Sequence, residues 1–436
     1  MAGLTVTLYT ALQTLENTQT ELQTASNNIS NAATTGYSEE TAVQTSNPAV
    51  HTTSGWLGTG ATVSQITSAR NQFLEQRLMN SMTDNSQYTS LSTELTSIQS
   101  ACSDSGSNGI SQALGNFFDA WSTLTQNPTG LSEQTGVYSA AKDLASAVQS
   151  TYNQLNQIAT QIPGQVQDTV NQANQLIDQI AQLNTAIAQS QTPTCQANQL
   201  SDERYQAMDS LAKLIPVSFS QDPATGMVTV NTTDASGSLT VVSGGTGTHI
   251  TTSSTITGGQ LGGLLTAQTD LNGYISQLNT FTSTLMSKVN NISEGSEGGN
   301  PVPALAVFTG ADASSITAST TFLTGPTSSE LSSSALAIAN LQDNQVTFTD
   351  GTIATPEQYL GNIQQTVGND VQQANNNQSF YNALQTQLQT QQQSVSGVST
   401  DQEMVNVIQD QQVYEEAAKI VQTVSNLMSA VISMVS

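Results

Sequence analysis

The sequence predicts a mainly α-helical protein with a β insertion, and three observations lead to this fold class. Two heptad stripes of apolar or small residues lie at opposite ends of the chain. Helical periodicity returns in several segments between them. Near Pro216 the pattern changes to the alternation that is typical of strands. We therefore expect terminal helices forming an α-helical coiled coil, a helical-bundle middle domain and a smaller β-rich outer domain.

The first predicted element is one amphipathic helix over residues 4–30. Its apolar or small residues recur at spacings that alternate between four and three, at Leu4, Leu8, Ala11, Leu15, Thr18, Leu22, Ala25 and Ile29. Such spacing places a narrow apolar seam on one side of a helix, and this kind of seam is buried by another helix. The residues from Ser26 to Ser38 are rich in turn formers, so we expect a shaped loop where the helix ends.

The middle of the chain reads mainly as helices. Residues 40–66 look extended, with short β-prone pieces and glycines, and residues 103–109 read as a loop. Helical periodicity predicts a helix over about 71–98, a short helix ending at Asn127–Pro128, one or two long helices over 132–190 and another over 197–214. Pro163 either kinks the long helix or marks a join.

Beyond Pro216 the alternating pattern predicts strands near 217–220, 227–230 and 239–242, separated by turns. Helical patterns resume at about 261–292, 332–342 and 356–394. We expect residues 215–259 with 293–331 to form the β-rich outer domain, and 41–214 with 260–292 and 332–394 to form the helical middle domain. Because few contacts are expected to cross the boundary of the β insertion, it should be removable.

The last predicted helix carries the second stripe, after a capping sequence at Thr400–Glu403. Its members are Met404, Val407, Gln411, Tyr414, Ala418, Val421, Ser425, Met428, Ile432 and Val435. Since neither stripe has an adjacent partner in the sequence, the two ends pair with each other or with neighbouring subunits. The candidate subunit-packing residues are Leu4, Leu8, Leu15, Leu22, Ile29, Met404, Val407, Tyr414, Val421, Met428 and Ile432. Residues 1–40 with 395–436 form the predicted terminal coiled-coil domain, disordered in the monomer because its seams lack partners before assembly.

Composition narrows the classes of partner. Only 9% of the residues are charged, the net charge is −25, and the seven basic residues are scattered singly. Without a basic patch we expect no nucleic-acid or membrane partner. No apolar run approaches the length of a membrane span, and the N-terminus lacks the basic region of a signal peptide. If the protein is exported, we therefore expect a route that recognises a feature other than a cleaved signal peptide.

No motif for catalysis, cofactor binding or metal binding is present in the sequence, so we expect a non-enzymatic protein without cofactors. His51 and His249, the two histidines, lie in glycine- and threonine-rich stretches. Gly244–His249 lacks the Lys-Ser/Thr that would grip a phosphate and reads as a turn. Cys102 and Cys195 form neither a disulfide framework nor a metal-ligand spacing, and whether they pair stays open.

Several motifs resemble those of a known family. Ser26–Ala32 with Gly36-Tyr37-Ser38, and 396–404 with 411–420, are similar to the N- and C-terminal signatures of the flagellar axial rod and hook proteins. Inner segments narrow the resemblance to proteins at the hook–filament junction: Phe73–Leu78, Phe117–Trp121, Asp202–Arg204, Gly259–Leu265 and Phe308–Ala313. Thr35 stands where the family usually has Pro, and Glu39-Glu40 replace a usual basic-polar pair, so details of subunit contact are left open.

This resemblance implies a structural subunit of the bacterial flagellum that is the first to join hook to filament. Its terminal helices would form a coiled coil lining the axial tube. Its implied partners are other copies of itself in a ring, the hook protein, a second junction protein and a dedicated export chaperone that binds the C-terminal region. The implied location is extracellular, reached through the flagellar type III apparatus without a cleaved signal peptide.

Two other classes stay open from the sequence alone. The first is another axial or type III-secreted structural protein, such as a filament subunit or a filament-capping protein. The second is an adhesin or carbohydrate-binding module carried by the β insertion.

Overall fold

The computed structural model describes residues 2–52, 55–103, 109–190, 197–294, 306–320 and 328–435. The predicted mainly α-helical class with a β insertion is confirmed. Most of the predicted loop 103–109, parts of 293–331 and Cys195 lie outside the described residues. The helices are α1 Ala2–Asn31, α2 Gln72–Cys102, α3 Ile110–Gln126, α4 Leu131–Ser190, α5 Asn198–Leu214, α6 Gly259–Ser293, α7 Ser328–Ala339, α8 Pro356–Ser396 and α9 Thr400–Val435.

The strands are short, and each sheet is antiparallel. They are β1 Glu40–Ser46, β2 Val50–Thr52, β3 Gly55–Leu57, β4 Ala61–Ser68, β5 Ser218–Gln221, β6 Val228–Asp234, β7 Gly237–Ser243, β8 Thr246–Gly247, β9 Phe308–Thr309, β10 Thr317–Ala318, β11 Val346–Thr347 and β12 Ile353–Ala354. β1 pairs with β4, and β2 with β3. β5 to β8 form a four-stranded meander in chain order. The turn predicted at Gly244 is confirmed, since it joins β7 to β8 with φ +56°.

Three helices, α4, α9 and α1, show local features that involve a proline, an N-terminal cap and a series of threonines. α4 is a single helix of 60 residues that contains Pro163, so the proline does not divide it. At the start of α9, the Gln402 N–H donates to Ser399 Oγ at 3.4 Å, which places the cap one residue before the predicted Thr400. In α1, threonine hydroxyls donate to carbonyls four residues earlier at Thr7, Thr10, Thr14, Thr18, Thr20 and Thr24.

The chain divides into two compact units. The first comprises residues 1–85, 170–259 and 380–436, and the second comprises 86–169 and 260–379. Residues 215–259 therefore belong to the first unit, whereas the described parts of 293–331 that precede α7 belong to the second. The predicted division of the chain into three domains stays a prediction.

Within the first unit, the β5–β8 sheet is tied to two helices. Val228, Val230, Val241 and Val242 of this sheet are buried. The side-chain amide of Asn184 in α4 donates to the carbonyls of Val228 and Gly244, at 2.7 and 2.8 Å. Arg204 of α5 is fully buried and donates to the Gly226 carbonyl at 2.7 Å. These contacts contradict the expectation that few contacts cross the boundary of the insertion.

The second unit has an aromatic core. Phe117 and Trp121 of α3 are fully buried, and the Phe117 ring lies 5.4 Å from the Phe308 ring. A separate stack joins Phe348 to Tyr359, whose ring centroids are 4.0 Å apart. Aromatic pairs of this kind stabilise a core beyond the area that they bury.

Candidate assembly surface

The two terminal helices of the first unit pack along each other in antiparallel directions. Asn28 near the end of α1 meets Glu403 at the start of α9, while Ala11 lies in a group with Ala417 and Ile420. Continued one for one, this register places the last turn of α9 beyond the first residue of α1. The predicted pairing of the two ends is therefore present within one chain.

The buried seam of this pair has heptad spacing on both helices. On α1 it contains Ala11, Thr18 and Ala25, and on α9 its most buried members are Glu403, Ala417 and Val424. Small side chains at these positions let two helices approach closely. The seam on α9 lies one residue before the predicted positions Met404, Gln411, Ala418 and Ser425. A search for apolar residues misses this register because its first two heptad positions are the acidic residues Glu403 and Asp410.

The structure places the predicted subunit-packing residues differently on the two helices. The α1 members are all half-buried: Leu4, Leu8, Leu15, Leu22 and Ile29. On α9, Val407, Val421 and Met428 are half-buried, whereas Met404, Tyr414 and Ile432 are 56%, 41% and 65% exposed. Packing of these residues between subunits stays a prediction.

A second side of α1 is covered by the β1–β4 hairpin. The buried Asn17 side chain donates to the Ala61 carbonyl at 2.7 Å and accepts from the Val63 N–H at 3.0 Å. These bonds satisfy the hydrogen-bonding capacity of one carbonyl and one N–H group of β4. α1 is therefore held on one side by α9 and on another by a strand.

Asn28 forms a polar lock where α1 ends. Its Nδ2 donates to Glu403 Oε1 at 2.7 Å and to the Glu40 carbonyl at 2.8 Å. Its Oδ1 accepts from the Glu40 N–H and from the Tyr37 hydroxyl, at 2.9 and 2.8 Å. Burial, followed by the charge of Glu40, raises the pKa of Tyr37, so the phenol keeps the proton that it donates. This lock joins the N-terminal signature to the start of α9.

The turn after α1 is hydrogen-bonded to side chains of α5. Gly36 has φ +80°, and a Cβ there would lie 2.4 Å from Gln206 Nε2, so the position favours glycine on two grounds. The Gln206 side chain donates to the Thr35 carbonyl at 2.6 Å. Arg70 Nη2 donates to the Gly36 carbonyl at 2.8 Å, and the same nitrogen pairs with Asp202 Oδ1 at 3.0 Å.

Sequence reasoning missed the role of Arg70, which it treated as one scattered cation. The Arg70 guanidinium also pairs with the buried Glu75 at 3.1 Å. Burial raises the pKa of Asp202, and the Arg70 charge opposes that rise. The low number of basic residues could have indicated such a role. In a chain with only seven lysines and arginines, each one is a candidate partner for a buried carboxylate.

α9 keeps an uncovered apolar stripe beside its seam. This stripe, called here the outer stripe, is formed by Val413, Ile420, Leu427 and Met434, which are 43%, 45%, 49% and 85% exposed. Its members are seven residues apart, which is the spacing of a helix-packing face. Large apolar side chains that are exposed in a row mark an interaction surface.

The two histidines lie at exposed positions. His51 packs edge-on against the Trp56 ring at 5.1 Å, and His249 Nε2 lies 2.9 Å from Asp178 Oδ1. Among the described residues, no group of three His, Cys, Asp or Glu side chains is placed to hold a metal ion. None of the helices in the described ranges is both long and apolar enough to span a membrane.

Three family models match successive parts of the chain. The flagellar hook-associated protein FlgK helical domain matches residues 95–297. The flagellar basal body rod FlgEFG protein C-terminal model matches residues 389–434, and the flagella basal body rod protein model matches residues 8–37. The two terminal matches cover the α1 and α9 segments that pack together.

Individual relatives agree with these models. Flagellar hook-associated protein 1 of Salmonella typhimurium is 27% identical over 54% of this chain and 42% of its own length. The Bacillus subtilis protein of the same name is 23% identical over 50% of this chain and 45% of its own length. The chain thus spans less than half the length of these relatives. The flagellar hook junction protein FlgK from Burkholderia pseudomallei superposes with a TM-score of 0.58 at 16% identity, over 74% of this chain and all of that one, which supports the fold.

Proposed function

From the premise that this chain is a relative of flagellar hook-associated protein 1, we propose that it is a non-enzymatic structural subunit joining the flagellar hook to the filament. The observation that carries the proposal is the outer stripe of α9. It leaves a heptad face uncovered on a helix whose other face is already paired with α1. A helix with two such faces can pack within its own chain and against a neighbouring copy at the same time.

The partners follow from this arrangement and from the names of the relatives. Other copies of the chain pack their terminal helices side by side in a ring. The hook protein lies on one side of the ring and a second junction protein on the other. A dedicated chaperone covers the C-terminal region before export through the flagellar type III apparatus, and the assembled subunit is extracellular. The exposed outer stripe supports this need for a chaperone.

Disorder of the terminal helices before assembly belongs to the same proposal. α1 is rich in Thr, Asn and Gln, which are modest helix formers. Amide exchange should find α1 and α9 unprotected in dilute monomer and protected in the assembled state. Protection of both helices in dilute monomer would contradict this part of the proposal.

The decisive experiment is electron microscopy of a strain from which the gene has been deleted. We expect hooks without filaments, with filament protein released to the medium, and recovery when the intact gene is returned. Filaments of normal number on the deletion strain would overturn the proposed function.

A pair of variants tests the outer stripe within the same strain. Leu427→Asp places a charge on the outer stripe, where burial against a neighbour would cost several kcal/mol. We expect folded, exported protein that no longer supports filaments. Asn426→Asp is the matched control, because it adds the same charge at the adjacent exposed residue, which lies about 100° around the helix from Leu427. Equal filament numbers with both variants would exclude the outer stripe as a contact surface.

A further inference from the structure

The short β2–β3 hairpin presents an unusual apolar surface. Its strands pair only with each other in the described structure, yet Val50, Trp56 and Leu57 are 47%, 75% and 42% exposed. The other tryptophan of the chain, Trp121, is fully buried. Exposing an indole to water is unfavourable, and exposed tryptophans are common at the centres of protein contacts. Trp56 is therefore the strongest candidate on the hairpin for burial in a contact.

A groove of matching character lies between α1 and α9. It has a volume of about 330 Å³, and its floor includes Ala11 and Ala417, whose small side chains leave the space open. Val6 and Ile420 supply apolar walls, and Glu416 is its one charged lining residue. Leu57 of the hairpin borders the same groove.

Trp56 is directed away from the groove of its own chain. Successive side chains of a strand point to opposite faces. Since Leu57 borders the groove, its neighbour Trp56 points to the other face, where its ring contacts His51. The chain thus carries an apolar projection and an apolar cavity that cannot satisfy each other within one molecule.

We propose that Trp56 of one copy inserts into the α1–α9 groove of the next copy. This inference rests on the proposed function, for which it names the contact between neighbouring copies. The chemistry is complementary, because the hairpin offers an indole N–H and an imidazole, while the groove offers the Glu416 carboxylate. A projection that fits a cavity elsewhere on the same molecule makes a head-to-tail contact, which closes into a ring or continues as a helix.

Cross-linking between two single-cysteine chains tests the contact directly. Both chains carry Cys102→Ser and Cys195→Ser, and then one receives His51→Cys, which keeps the neighbouring Trp56, and the other receives Ile420→Cys. They are mixed and joined to isolated hooks, so any cross-link between the two positions must connect different copies. We expect cross-linked pairs in the mixture and none with His51→Cys alone. Cross-linking of His51→Cys to itself, or no cross-linking of chains that have joined the hooks, would overturn the inference.

A truncation series gives a second, independent readout on the full chain. Trp56→Ala should lower the amount joined to hooks by about tenfold or more, as loss of a contact-centre aromatic does, while Trp56→Phe retains part of it. Phe73→Ala is the matched control, since Phe73 is 73% exposed in the same unit. If intact chain and Trp56→Ala join equally well, this inference fails and the proposed function stands. If intact chain does not join hooks at all, both fail.

Discussion

α1 and α9 carry similar heptad stripes, but they are covered to different extents. α1 is packed against α9 and against the β1–β4 hairpin, and its five predicted seam residues are all at least half-buried. α9 contacts α1 along one face and leaves nine large apolar side chains more than 40% exposed between Met404 and Met434. α1 is thus packed on two sides within the first unit, whereas α9 leaves much of its apolar surface exposed to solvent. A heptad stripe alone does not distinguish these two situations.

The strongest test of this difference removes the support of α1. Gln206 and Asp202 of α5 hold the turn after α1, and the adjacent Arg204 of α5 is bonded to the Gly226 carbonyl. Replacing residues 217–258 by a Gly/Ser linker should therefore expose the core around α5 and unfold the first unit. Circular dichroism and limited proteolysis would detect the loss. A deletion that leaves the melting of the first unit intact would show that the sheet is dispensable.

The next test separates the two neighbouring registers on α9. Ala417 is 3% exposed and Ala418 is exposed. Ala417→Asp buries an unpaired carboxylate at a cost of several kcal/mol and should remove the amide-exchange protection of α1 in the assembled state. Ala418→Asp should leave that protection unchanged. Equal losses would place the seam at the register predicted from apolar spacing instead.

A third test compares two adjacent asparagines at the end of α1. Asn28→Ala removes four hydrogen bonds and leaves the buried Glu403 carboxylate with one fewer donor. Its free energy of unfolding should fall by about 2–3 kcal/mol. Asn27→Ala removes exposed contacts to Tyr37, Glu40 and Asn31, so about 0.5 kcal/mol is expected. Urea denaturation of the assembled protein, in which α1 and α9 are paired, measures both, and a similar loss for the two variants would contradict the lock at Asn28.

The smallest expected effect is a dependence of folding stability on pH that arises at Asp209 of α5. Burial, followed by the charge of Glu75, raises the pKa of Asp209 to about 7, while Arg70 and Lys213 oppose the rise. Between about pH 4, the usual pKa of Asp, and this value the folded chain keeps a proton that the unfolded chain releases, so stability falls as the pH rises. Asp209→Asn should flatten that part of the stability curve. A curve of unchanged slope for the variant would assign the dependence to other groups.

Much of the fold was predictable because periodicity reports which face of a helix is buried. α1 was predicted within two residues at its start and one at its end. The register of α9 was not predictable in this way, since Glu403 is buried by a hydrogen bond to Asn28 and not by an apolar neighbour. The attachment of the β5–β8 sheet was missed for a similar reason. It depends on single polar side chains, Asn184 and Arg204, whose partners are backbone carbonyls distant in sequence.

The threonines of α1 bear on what sets the register of the helix pair. The Thr18 hydroxyl in the seam donates to a carbonyl of its own helix, so it does not need a hydrogen-bond acceptor on α9. Ala11 and Ala25, the other buried seam residues of α1, have no polar side-chain atoms and need no hydrogen bond either. At one end, however, Asn28 fastens α1 to Glu403. The register of the pair therefore depends on the Asn28–Glu403 hydrogen bond at that end and on the fit of small side chains along the rest.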